Sequence, residues 1–215
     1  MLAGTLGFRT FSSPKSMRFR PPRRPWLAVL CTAAGCLPSR APMEPAPTRD
    51  PALWVSVDEQ FYAVDGDTPG MLNRELARNG PRRDGRAFQG LTDFQVRYRF
   101  EPRPGGAGCR ATDARVHVEV VTTLPLWIER DTAPESLRRD WDVFLARLRE
   151  HERGHQDIAI AGGKMLLDEV ERLAAPDCAA LRADAERVAQ ALQRRLDLEQ
   201  RDWDAETGHG RRGTT

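Results

Sequence analysis

The sequence lacks a long hydrophobic run. Its longest apolar stretch, Trp26 to Leu37, is about a dozen residues, against the roughly 20 that a membrane-spanning helix needs. Histidine is scarce, with 4 in 215 residues, so two at a regular spacing stand out. Of only 4 cysteines, Cys31 and Cys36 fall in the apolar stretch, which leaves Cys109 and Cys178 for the rest of the chain. Net charge is nearly absent, with 33 Lys and Arg against 31 Asp and Glu. Residues 1–50 hold 8 of the basic and 2 of the acidic side chains, leaving 25 basic and 29 acidic beyond them. That mildly acidic remainder lacks the cationic surface that neutralises phosphates, so no nucleic-acid partner is expected. At 40% hydrophobic and 30% charged residues, the chain is too apolar for intrinsic disorder and too polar for a polytopic membrane protein.

What is present begins with a leader. Arg18, Arg20, Arg23 and Arg24 precede the short apolar run, and small residues follow it, which is the pattern of an export signal. Met17 is a second candidate start. Ala33-Ala34-Gly35-Cys36 resembles a lipobox without the usual leucine, so Cys36 is the expected acylation site, with plain cleavage as the alternative. Pro38, Pro42, Pro45, Pro47 and Pro51 then exclude helix and sheet and predict an extended tether. The expected organisation is a leader over 1–37, a tether over 38–52, a domain over 53–210 and a tail over 211–215. The expected location is the periplasm, or the outer membrane as a lipoprotein anchored through Cys36. In an exported chain, Cys109 and Cys178 are expected to form a disulfide.

The domain reads as α+β. A strand-like segment runs from Leu53 to Val64. Thr68 is a candidate N-cap for a short helix through Ala77, stopped by Asn79-Gly80-Pro81. Residues 94–100 and 114–121 alternate apolar and polar, predicting an antiparallel hairpin in a small sheet, with a turn region over 102–108. After Asp131 the period changes. Leu137, Trp141, Leu148, His151, His155, Ile158, Leu166 and Leu173 fall at steps of three and four, which predicts a long helix over 134–174. Gly154, Gly162 and Gly163 are expected to weaken it. Pro176 ends it, Asp177 can cap the next, and Leu181, Ala185, Val188, Leu192 and Leu196 mark a second helix. The two form an antiparallel hairpin.

Residues 151–155 read His-Glu-Arg-Gly-His, the His-Glu-x-x-His spacing of zinc metallohydrolases. Positions i and i+4 share a helix face, so two imidazoles can converge on one Zn²⁺. Glu152 is then placed to take a proton from a metal-activated water as general base. Both histidines lie on the apolar stripe, where unpartnered imidazoles are costly. A catalytic zinc needs a third protein ligand. With helices turning near 175–178, His155 lies beside Leu198 and His151 beside Asp202. His209, flanked by Gly208 and Gly210, is the expected third ligand, with Glu206 and Asp204 as alternatives. His117, Tyr62 and Tyr98 read as strand and core residues outside the site.

The Phe-Tyr-x-Val-x-Gly of 61–66, the Asn-Gly-Pro of 79–81, the His-Glu-Arg-Gly-His motif and the Asp-x-x-Thr-x-His-Gly of 204–210 resemble one exported bacterial family. It is domain of unknown function 922 (DUF922), whose members are commonly labelled zinc-dependent proteases. The resemblance covers about residues 53–210 and implies an envelope domain with a metallopeptidase-like site acting on a protein or peptide substrate. Two other readings stand beside it: a non-catalytic envelope binding protein with a structural metal, and a zinc amidase acting on cell-wall amides.

Overall fold

The computed structural model describes residues 2–7 and 52–209. The lipobox with Cys36, the rest of the expected leader, nearly all of the tether and the tail lie outside the described residues. Among the described residues no helix is long and apolar enough to cross a membrane.

In chain order the elements are β1 (Leu2–Gly7), β2 (Leu53–Val64), α1 (Pro69–Asn79), β3 (Arg82–Arg83), β4 (Arg86–Ala87), β5 (Leu91–Gly105), β6 (Gly108–Trp127), α2 (Glu135–Arg172), β7 (Ala174–Ala175) and α3 (Cys178–Thr207). The fold is α+β, a sheet followed by long helices, and the sheet is larger than the small one expected. Its order is β1-β5-β6-β2, with β7 paired to β6. β5 and β6 form the antiparallel hairpin, but they are 15 and 20 residues long. The expected turn region over 102–108 is mostly strand. Pro102 and Pro104 are tolerated because β1 pairs β5 only over residues 95–100, leaving the last part of β5 as an edge.

β2 runs parallel to β6, in register from Leu53↔Val116 to Val64↔Trp127. The sheet is therefore mixed rather than wholly antiparallel. The cause is connectivity: a tight turn forces only β5 and β6 to be antiparallel, whereas β2 leaves through α1 and the β3–β4 ribbon, a connection long enough to free its direction.

Alternation on β6 puts Val116, Val118 and Val120 into the main core, against Ala159, Leu166 and Val170 of α2 and Leu181, Ala185, Ala189 and Leu196 of α3. A second core at the end of the sheet joins Val64, Leu72, Leu76, Trp127, Leu137 and Trp141, and it anchors α1. Thr68 caps α1 as expected, its hydroxyl accepting from the Met71 N–H. Asp177 caps α3, its Oδ1 accepting from the Ala179 and Ala180 N–H groups at 2.8 Å each.

The glycines do not interrupt α2, which is one helix of 38 residues. They let neighbours approach. A Cβ at Gly163 would stand 2.2 Å from Val118 Cγ2, and one at Gly162 would stand 2.6 Å from Leu196 Cδ2. The cost of glycine in a helix is offset by closer packing on the sheet and on α3. Cys109 and Cys178 form a disulfide that ties the start of β6 to the first turn of α3.

Candidate metal centre

The stripe that buries Leu148 and Ala159 also carries His151, Glu152 and His155 inward, at 5%, 3% and 9% exposure. The two rings meet edge to face, with centroids 4.7 Å apart and Nε2 atoms 3.2 Å apart. α3 returns alongside and presents Gln200, Asp204 and Thr207 at i, i+4 and i+7, one face of the helix. Asp204 Oδ1 lies 3.3 Å from His151 Nε2 and 3.2 Å from His155 Nε2. His151, His155 and Asp204 thus form a group of donors within 4.8 Å of one another. Zinc bonds of about 2.0–2.1 Å in tetrahedral geometry place ligand atoms about 3.3–3.4 Å apart, so these side chains fit such an ion.

Charge follows from packing. Burial alone would raise the Asp204 carboxyl, but the His151 and His155 rings beside it outweigh that and hold the group well below the usual carboxylate range. Burial lowers His155, yet hydrogen bonds to Asp204 and Gln200, with the nearby carboxylates, leave it raised overall. The far nitrogens are also engaged. His155 Nδ1 contacts Gln200 Oε1, and Gln200 Nε2 donates to the His155 carbonyl at 3.2 Å. His151 Nδ1 lies 2.8 Å from the Thr207 hydroxyl, which itself donates to the Trp203 carbonyl at 2.7 Å.

Glu152 sits across the same cleft. Its Oε2 accepts from the Thr92 hydroxyl at 2.7 Å, and Thr92 Oγ1 lies 3.1 Å from Thr122 Oγ1. Burial raises the Glu152 carboxyl above its ordinary value; the Thr92 bond and the two histidines oppose that rise without cancelling it. A Cβ at Gly90 would stand 2.8 Å from Glu152 Oε1, so backbone passes directly against the carboxylate. The cleft has a volume of about 960 Å³ and is lined by α1, the β3–β4 ribbon, residues 88–94, and the facing side chains of α2 and α3.

His209 follows the left-handed cap Gly208 and itself has φ 56°. It lines the cleft with its side chain half exposed, and its Nδ1 lies 3.2 Å from Asp204 Oδ1. It thus flanks Asp204, while the converging donors are the two motif histidines and Asp204. Glu206 is exposed and does not line the cleft. Tyr62 donates to the Gln89 carbonyl at 2.7 Å. Tyr98 donates to Glu186, and its phenol is pushed up to about 12, mainly by burial. His117 lies 3.1 Å from Ser56 Oγ and beside the Trp54 ring. None of these three lines the cleft.

Thr92 and Gln200 were not expected at the site, and Thr207 figured only in the family motif, without a role. The i, i+4, i+7 spacing of Gln200, Asp204 and Thr207 was a usable signal. The β3–β4 ribbon was not expected either, although Asp84-Gly85 between short extended segments is a strong hairpin signal; both residues have positive φ, 51° and 79°.

A mixed sheet backed by a helical hairpin, with two histidines one turn apart facing a carboxylate, defines an α+β domain with a candidate metal site. Residues 59–210 match the model of the family described as "Bacterial protein of unknown function (DUF922)", and the chain belongs to that family. No curated protein and no solved structure matches the chain.

Proposed function

We propose that this protein is an envelope-located zinc-dependent peptidase that hydrolyses amide bonds. One observation carries the reading: three donor atoms converge at 3.2–3.3 Å beside a buried carboxylate that shares their cleft. His151, His155 and Asp204 would hold the ion, and His209 would brace Asp204 from the solvent side. When bound, Zn²⁺ supplies Lewis acidity, polarising a carbonyl and acidifying water to near neutral pH.

The remaining steps belong to the chain. Glu152, its carboxyl raised by burial, takes up a proton as general base and later returns it to the leaving amine. Thr92 fixes the carboxylate's orientation by bonding one oxygen, which leaves Oε1 to face the cleft. Gly90 leaves room for that oxygen. The export signal and the lipobox support an envelope location, with Cys36 as the anchor and a protein or peptide as substrate. The test is a peptide-library cleavage screen on the zinc-loaded protein and on its Glu152→Gln variant. Cleavage by the first and not the second supports the reading; no cleavage by either, with zinc bound, contradicts it.

A further inference from the structure

We infer that Thr207 is a positioning residue for the metal site: it fixes the tautomer of His151 so that the Nε2 lone pair points at the ion. The inference rests on the metal reading above. A threonine hydroxyl has one proton to give. Thr207 Oγ1 gives it to the Trp203 carbonyl at 2.7 Å. Only its lone pairs remain for His151 Nδ1, at 2.8 Å. That nitrogen therefore carries the ring proton, and Nε2 is left bare, 3.3 Å from Asp204 Oδ1. Thr207 is 4% exposed, so water does not compete for the bond.

The same logic acts on the second ring by a different group. Gln200 Nε2 donates to the His155 carbonyl, which fixes the amide orientation. Its oxygen must then face His155 Nδ1, as observed, and that nitrogen is the donor. Two neighbours on one face of α3 thus set two tautomers. Partners of this kind orient metal-binding histidines and raise their basicity. Asp204 lies between them on the same face, so α3 supplies one donor and aligns the other two. The αL cap at Gly208 ends the helix one residue after Thr207, which places the hydroxyl in the last turn.

The experiment uses the full chain and Zn²⁺ alone. Long-range ¹H–¹⁵N spectra of the metal-free protein at mildly alkaline pH report the His151 tautomer without reference to metal or activity. Chelator competition then gives zinc affinity for wild type, Thr207→Val and Thr207→Ser. The expected results are an Nδ1–H tautomer in wild type, a loss of about 10- to 100-fold in affinity for the valine variant, and recovery close to wild type for serine. Recovery by serine separates the hydroxyl from any packing loss. An Nε2–H tautomer of His151 in the wild type, or wild-type affinity in the valine variant, overturns the inference. If the wild type binds no zinc, the metal reading fails, and the tautomer spectra still decide the role of Thr207.

Discussion

Trp203 lies where a side chain at Gly154 would have to be. A Cβ there would stand 2.2 Å from Trp203 Cε2, and the indole Nε1 donates to the His151 carbonyl at 2.9 Å. The glycine of His-Glu-Arg-Gly-His is therefore where α3 closes onto α2, at the level of the two imidazoles. The ring of Trp203 also stacks nearly parallel to that of His151, with centroids 6.2 Å apart.

From this contact, Gly154→Ala forces α3 away from α2 just where Asp204 must reach both rings. Overpacking of this kind costs about 1–3 kcal/mol. Urea unfolding of the variant is expected to show that loss, and zinc affinity is expected to fall with it. Trp203→Phe removes the indole bond together with the part of the ring that packs on Gly154, and is expected to cost about 1–3 kcal/mol.

Glu152→Gln keeps the shape of the side chain but removes the proton acceptor. The variant is expected to bind zinc like the wild type and to lose hydrolysis by about 10²- to 10⁴-fold. Steady-state kinetics beside elemental analysis separates the two effects.

Thr92→Val tests the pH dependence. The Thr92 hydroxyl bond lowers the Glu152 carboxyl against the larger opposing effect of burial. Without it the carboxyl rises further and must be deprotonated at higher pH to act as base. The acid limb of the pH–rate profile is expected to move upward; a downward shift contradicts the assignment of Glu152 as that base.

Reducing the Cys109–Cys178 disulfide, which spans 69 residues, is expected to cost about 4 kcal/mol in the chain-entropy account. Denaturant midpoints of the oxidised protein and a Cys109→Ala/Cys178→Ala variant measure it directly.

Much of this was legible in the sequence because the signals are local. Thr68, Asn79-Gly80, Asp177 and the three-and-four spacing of Leu148, His151 and His155 each report on neighbours along one helix, and the helices begin and end close to where those residues place them. The strand order was not legible, since alternation tells which face of β2 is apolar but not which strand lies beside it. The helical hairpin was nearly in register: His155 meets Gln200 rather than Leu198 because Leu173–Asp177, including β7, lengthens the turn. That small slip hid Gln200 and Thr207. It also left Asp204 an alternative to His209, because a glycine-flanked histidine can turn in many directions, whereas a carboxylate on the last turns of α3 is fixed by the helix.

His151 and His155 of α2 and Asp204 of α3 are expected to hold a single divalent ion. Elemental analysis of wild type, His155→Ala, Asp204→Asn and His209→Ala, each purified after zinc loading, tests that assignment most directly. The expected result is one zinc per chain in wild type and in His209→Ala, with loss in His155→Ala and Asp204→Asn. Stoichiometric zinc in both of the latter variants, or none in wild type, contradicts it.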